Sequence, residues 1–187
     1  MGIYTLTDNR YMVFKTPYFS IEESKEIYDK FPYYSFNLPE SVICCLIDQE
    51  DNLYLVKQFR PNINDFTLEF PAGAIEGNED KFSAAKREVK EETGLNCKVI
   101  FLNKCRVLMN RSTNYDYLFL AFVNDIDNSK LMKDKCLVVT KKKLLDMIHL
   151  NSFMHIVGLG IIQTINIKYN IDFFQENIFS KLNKYGS

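Results

Sequence analysis

The stretch from Gly73 to Leu95 constrains the fold and chemistry of this chain more than any other part of its sequence. It reads GAIEGNEDKFSAAKREVKEETGL. The residues at fixed, informative intervals are Gly73, Glu79, Arg87, Glu88, Glu91, Glu92 and Gly94. At average residue usage, this spacing with apolar Val89 and Leu95 would arise by chance in fewer than about one chain in a million. The segment therefore indicates a functional site.

The charged part of this stretch has the signals of a single helix over residues 81–93. Asp80 suits the N-cap, where its side chain can accept hydrogen bonds from the first turn. Gly94 suits the left-handed C-terminal cap. Apolar residues within the segment also recur at helical spacing, so we expect one face to pack on a core.

Three glutamates at the end of this predicted helix point to a cation site. At about 100° per residue, Glu88 and Glu92 lie within about 40° of each other, and Glu91 lies about 60° to the other side of Glu88. The helix dipole disfavours anions in the last turn by roughly 0.3 to 1 kcal/mol each. A bound Mg²⁺ or Mn²⁺ would reverse that penalty, because both ions prefer oxygen ligands. The simplest alternative is a solvated charged face, in which Glu88 pairs with a neighbouring Arg or Lys.

The stretch matches in full the Nudix box, G-x5-E-x7-R-E-U-x-E-E-x-G-U with U apolar, and the chain thus resembles a Nudix hydrolase. The resemblance implies an α/β fold, an α/β/α sandwich around a mixed sheet. It also implies hydrolysis of a nucleoside diphosphate linked to another moiety, with Mg²⁺ or Mn²⁺ as cofactor. The implied metal ligands are three side chains and one backbone carbonyl: Glu88, Glu91, Glu92 and Ala72. Glu91 would act directly or through a water, Arg87 would orient the glutamates, and Glu79 would support Arg87.

The residues flanking the box resemble those of the ADP-ribose and ADP-sugar pyrophosphatase branch, in the elements QFRP and EFPAG. Arg60 offers a planar fork either for a diphosphate or for Glu69, and both alternatives stay open. Members of this branch commonly carry a water-activating glutamate in a loop after the box. The corresponding loop here has Asp125, Asp127 and Asp134 but no glutamate. Asp134 is the best substitute.

The absence of Trp leaves Tyr or Phe as the platform for a nucleotide base. The candidates are Tyr28, Phe31, Tyr33, Tyr34 and Phe36, of which Tyr33 is taken as the substrate-binding candidate. The leading substrate is ADP-ribose, which would give AMP and ribose 5-phosphate. The alternatives are another nucleoside diphosphate sugar such as GDP-mannose, or a Nudix module that binds a nucleotide without turning it over.

Outside the box, the pattern predicts an N-terminal arm or small β-sheet over residues 1–40 and a Nudix domain over residues 41–187. Within the arm, a turn or short helix is expected around Ile21 to Lys30. Strand-like runs fill residues 41–122. Two helices are expected near Lys141 to Leu150 and near Phe153 to Tyr169.

Composition and charge limit the partners of the chain. Its 23 basic and 24 acidic residues give a formal charge of -1, so no global field draws it to nucleic acid. The longest apolar run, from Val42 to Ile47, is too short to cross a membrane, and we expect a cytoplasmic protein. Five cysteines without a CxxC pair are expected to be buried or half-buried thiols. Its histidines, His149 and His155, are expected to be structural. By resemblance, we expect a homodimer.

Overall fold

A computed structural model of the chain describes residues 10–24, 32–124 and 129–186. Four of the candidate residues, Tyr28, Phe31, Asp125 and Asp127, lie outside the described residues.

The described residues form ten strands and four helices in the order expected of a mixed α/β fold. The strands are β1 (Arg10–Lys15), β2 (Ser20–Ser24), β3 (Tyr33–Asn37), β4 (Ser41–Ile47), β5 (Leu53–Arg60), β6 (Asp65–Glu69), β7 (Ala72–Ala74), β8 (Lys98–Cys105), β9 (Asp116–Phe122) and β10 (Cys136–Val139). The helices are α1 (Lys81–Thr93), α2 (Lys141–His149), α3 (Ile156–Tyr169) and α4 (Ile178–Leu182). The predicted span of α1 is confirmed, whereas α3 begins three residues later than predicted.

A seven-stranded sheet forms the centre of the molecule. Its main path is β10-β5-β4-β9-β8, with β6 paired to β5 and β7 paired to β4. The pair β4 and β9 is parallel, and the other pairs are antiparallel. The sheet is therefore mixed, as the sequence predicts.

Helices cover both faces of this sheet because β4 is apolar on both sides. Ile43, Cys45 and Ile47 point into a core built with α2, α3 and α4. The intervening Val42, Cys44 and Leu46 point into a second core that includes buried residues of α1. A strand buried on both faces reads as a continuous apolar run, which explains the sequence SVICCLI. The predicted α/β/α sandwich is confirmed.

A separate three-stranded antiparallel sheet, β1-β2-β3, precedes the larger one. The prediction of a turn or short helix beginning at Ile21 was wrong, because Ser20–Ser24 pairs with both β1 and β3 as a strand. Residues 25–31 lie outside the described part. The Phe36 N–H donates to the Arg111 carbonyl at 2.6 Å, which joins this sheet to the larger domain.

The burial of the five cysteines agrees with the expectation from the sequence. Cys44, Cys45 and Cys136 are buried free thiols, and Cys97 and Cys105 are half-buried, as expected. Within the described ranges, no helix is long and apolar enough to cross a bilayer.

Candidate active site

Helix α1 carries the candidate glutamates, and its two caps fix where they lie. The Asp80 carboxylate accepts from the Phe82 and Ser83 N–H groups at 2.8 and 3.2 Å. Gly94 ends the helix with φ of 81°. A Cβ at Gly94 would also overlap the Lys130 carbonyl. Only glycine therefore fits this end of the helix, immediately after the acidic turn.

Arg87 is the central contact of the acidic cluster. Its guanidinium donates to the carboxylates of Glu79 at 2.6 Å, Glu88 at 2.7 Å and Glu91 at 3.1 Å. It also donates to the Ala74 carbonyl at 2.8 Å. The hydrogen bond from Arg87 is the main reason that the pKa of Glu79 is lowered. Arg87 thus joins the helix to the preceding loop and orients two of the candidate ligands.

Glu92 is half-buried, whereas Glu88 is buried. The Glu92 carboxylate accepts from the Ala72 N–H at 2.9 Å and from Gln58 Nε2 at 2.5 Å. Burial is the largest cause that raises its pKa, and the charge of Glu88 adds to it, so that the pKa reaches about 7. Burial also raises the pKa of Glu88. A bound cation would stabilise the ionised form of both side chains.

At Gly73, β7 lies so close to α1 that a side chain there would displace the Glu88 carboxylate from its present position. A Cβ at this position would overlap the Glu88 carboxylate. The backbone of residues 72 and 73 therefore lies directly against the carboxylates, and the Ala72 peptide group is part of the cluster. The role of Gly73 is thus to let the backbone approach the carboxylates, not to adopt a left-handed turn.

Arg60 and Glu69 form a bidentate pair between β5 and β6. Arg60 Nε and Nη2 donate to the two Glu69 oxygens at 2.8 and 2.5 Å. Burial opposes ionisation of Glu69, but hydrogen bonds from Arg60 and Thr67 outweigh it and lower its pKa. His155 lies beside this pair, where Nδ1 accepts from the Phe70 N–H at 3.1 Å. In this structure, Arg60 adopts the ion-pair alternative with Glu69.

A groove of about 540 Å³ opens beside the acidic end of α1. Its lining includes Glu91 and Glu92 of the box, and also Asp134 and Lys135. Its size lies within the usual range of small-molecule sites. The structure thus brings Asp134 to the same groove as the box glutamates, although it lies far from them along the chain.

Tyr33 is not one of the described residues that line this groove. It lies on β3, where the Arg111 guanidinium stacks 4.8 Å from its ring centre. The groove instead presents two partly exposed aromatic rings, Phe59 and Phe66, whose centres are 5.3 Å apart. The sequence did not lead us to expect Phe59, Phe66 or Gln58 at the site. The only sequence signal for Gln58 was its place in the QFRP element.

The donor chemistry of the cluster fits a hard divalent cation, since its side chains supply carboxylate oxygens. In their present positions, no three His, Cys, Asp or Glu side chains of the described ranges are gathered to hold a metal. The reason is local: Arg87 binds Glu88 and Glu91, and Gln58 with the Ala72 N–H binds Glu92.

The fold and the box together define a Nudix protein. Residues 37–135 match the NUDIX domain, which is more than half of the chain, and the chain belongs to this family.

Its similarity to individual relatives is local. Over 50 residues it is 50% identical to an ADP-ribose pyrophosphatase of Saccharomyces cerevisiae, which covers 27% of this chain and 22% of that protein. Over 40 residues it is 60% identical to an ADP-sugar pyrophosphatase of Mus musculus, covering 21% and 18%. The chain thus spans about a fifth of the length of these curated relatives.

One solved structure, described as an ADP compounds hydrolase, aligns with a TM-score of 0.68. The alignment covers 87% of this chain and 92% of that chain, at 18% identity. This likeness shows the fold alone.

Proposed function

We propose that this protein hydrolyses the diphosphate bond of a nucleoside diphosphate sugar with the help of Mg²⁺ or Mn²⁺. The single observation that carries the proposal is the complete carboxylate cluster of α1, which opens onto a groove large enough for such a substrate. A nucleotide-binding protein without turnover would have no physical need for the whole cluster.

Glu88, Glu91, Glu92 and the Ala72 carbonyl are proposed to hold the metal. When bound, such a cation would neutralise charge on the nonbridging phosphate oxygens and lower the pKa of the attacking water. Arg87 would release or share Glu88 and Glu91 as they turn towards the cation. The elevated pKa of Glu92 supports this assignment, because a side chain that is unfavourable as an isolated anion is stabilised by a bound cation.

Asp134 is proposed to orient the attacking water, since it is the acidic residue outside the box that lines the same groove as Glu91 and Glu92. A hydrogen bond from the water to its carboxylate would place the lone pair towards phosphorus and accept the departing proton. Arg60 is proposed to contact a phosphate oxygen while Glu69 fixes the orientation of its guanidinium. Tyr33 stays the candidate base platform.

The leading substrate is ADP-ribose, with AMP and ribose 5-phosphate as products. Two similar relatives bear the names ADP-ribose pyrophosphatase and ADP-sugar pyrophosphatase, and their similar segments support the same class here. GDP-mannose and other nucleoside diphosphate sugars are the alternatives within this chemistry. A nucleotide-binding Nudix module without turnover is the alternative outside it.

A substrate panel with matched variants tests the proposal. We expect wild-type protein with Mg²⁺ or Mn²⁺ to release AMP from ADP-ribose, measured by ion-exchange chromatography, and to stop when a chelator is added. Glu92→Gln should lower kcat by at least about a hundredfold, because a metal ligand is lost. The control Glu50→Gln, on an exposed turn, should keep wild-type activity. Turnover of GDP-mannose alone would change the assigned substrate from ADP-ribose to GDP-mannose. Binding of these compounds without any turnover would support the nucleotide-binding alternative.

A homodimer and a cytoplasmic location belong to the same proposal. Light scattering after gel filtration tests the first, with a mass near twice the 21.9 kDa of one chain expected. Fractionation of cells that express the protein tests the second.

A further inference from the structure

A second cavity adjoins the groove at the edge of β5 and is rich in lysine. It has a volume of about 530 Å³ and shares Lys57, Phe66, Asp134 and Lys135 with the groove beside the glutamates. Lys133 completes its basic lining. We refer to this space, lined by those five residues, as the lysine cavity. Glu91 and Glu92 line only the groove, Lys133 lines only the lysine cavity, and Lys57 and Lys135 line both.

The three lysines of this cavity are exposed. None of them forms an ion pair with a carboxylate in the part of the chain that the structure describes. The ammonium group of Lys57 lies 4.4 Å from the centre of the Phe66 ring. Contact with the ring face is a cation–π interaction, which leaves donors of the ammonium group available to a ligand.

The backbone holds two of these lysines together. The Lys57 N–H donates to the Lys135 carbonyl at 2.7 Å, immediately before β10 pairs with β5 at Cys136. This hydrogen bond between peptide groups fixes the backbone positions of Lys57 and Lys135. Their side chains therefore lose less conformational entropy when both bind one anion. Leu68, which is half-buried, and Phe66 add an apolar wall to the same cavity.

We propose that the lysine cavity binds a phosphate monoester carried by the group on the far side of the diphosphate. The inference rests on the proposed function, since the diphosphate is taken to lie at Glu91 and Glu92. The favoured substrates are then nucleoside diphosphate sugars whose sugar bears a further phosphate.

Charge and shape favour a phosphate over a neutral sugar. Three lysines and a single carboxylate, that of Asp134, are among the residues that line the cavity, and a phosphate monoester carries about -1.5 to -2 charges at pH 7. Lysine is a compact cation with rotatable donors, which suits a tetrahedral phosphate better than the planar fork that arginine offers to a carboxylate. The apolar wall of Phe66 and Leu68 suits the C–H face of the sugar between the two charged groups.

Binding of two sugar phosphates to the full chain tests the inference without relying on turnover. The probes are ribose 5-phosphate and ribose 1,5-bisphosphate, titrated by calorimetry in a Mg²⁺ buffer. We expect the bisphosphate to bind about tenfold tighter or more, because its second phosphate gains hydrogen bonds from charged donors. The preference should weaken as salt is raised.

Variants locate the effect. Lys57→Gln with Lys135→Gln should bring the two dissociation constants close to each other; because both lysines also line the groove, the affinity for ribose 5-phosphate should fall as well, but by less than that for the bisphosphate. Lys142→Gln, at an exposed site of α2, should keep the wild-type ratio. A wild-type ratio near one, or a ratio that survives the double substitution, would overturn the inference. A preserved ratio in a protein that hydrolyses none of the nucleoside diphosphate sugars would retain the phosphate site and refute the proposed function instead.

Discussion

Glu92→Gln should change the pH dependence of stability in a way that reports directly on the acidic cluster. Burial and the charge of Glu88 raise the pKa of Glu92 from its ordinary value of 4.5 to about 7. The folded state therefore binds a proton more tightly than the unfolded state does. The stability that this proton contributes is complete below pH 4.5 and is lost as the pH rises through about 7.

The size of the effect follows from the same shift. Each pKa unit corresponds to about 1.36 kcal/mol, and solvent screening of this half-buried side chain reduces the total to roughly 2 to 3 kcal/mol. For a domain of this size, that difference is about 4 to 12 °C in Tm. Glutamine resembles the protonated side chain and can still accept from the Ala72 N–H, so the variant should escape this loss.

Differential scanning fluorimetry between pH 4 and pH 8, in the presence of a chelator, measures the difference. We expect the wild type to lose stability relative to Glu92→Gln as the pH rises, and Glu50→Gln to follow the wild type. Adding Mg²⁺ at pH 8 should restore the wild type and leave Glu92→Gln unchanged. Parallel curves for the wild type and Glu92→Gln in chelator would refute the reasoning, because Glu92 would then titrate alike in both states.

Four further changes probe helices α1 and α3 and the metal site. Gly94→Ala should destabilise the fold by at least about 1 to 2 kcal/mol, owing to its left-handed backbone and the nearby Lys130 carbonyl, in urea titrations. Gly160→Ala, in the open interior of α3, should stabilise by about 0.5 to 1 kcal/mol. Arg87→Lys should lower kcat about tenfold to a hundredfold while the fold is kept, since the fork that orients the glutamates is lost; unchanged kinetics would contradict this. Mg²⁺ at about a hundred times its Kd should stabilise the wild type by about 2.7 kcal/mol in thermal melts, and coincident melts with metal and chelator would count against a formed site.

Local signals in the sequence were enough to predict helix α1. Asp80 caps the first turn through its own side chain, and Gly94 adopts the backbone that its position requires. Both effects act over a few residues, so tertiary contacts had little to override. The ion pair of Arg60 with Glu69 was also one of the two alternatives that the sequence left open for Arg60, and the structure forms it.

Contacts between distant segments explain what the sequence could not predict. Lys57 and Lys135 meet only because β10 pairs with the start of β5, and no local pattern marks that pairing. Strand β10 is four residues long with two exposed side chains, which gives weak periodicity. Ser20–Ser24 was mistaken for the start of a turn because its strand character depends on β1 and β3 on either side.

The most direct test of this account is metal-dependent release of AMP from ADP-ribose by the full chain. The account predicts turnover with Mg²⁺ or Mn²⁺, none with chelator, a loss of at least about a hundredfold in Glu92→Gln, and wild-type rates in Glu50→Gln. Equal rates for wild type and Glu92→Gln, or no hydrolysis of any nucleoside diphosphate sugar in the presence of either metal, would contradict it.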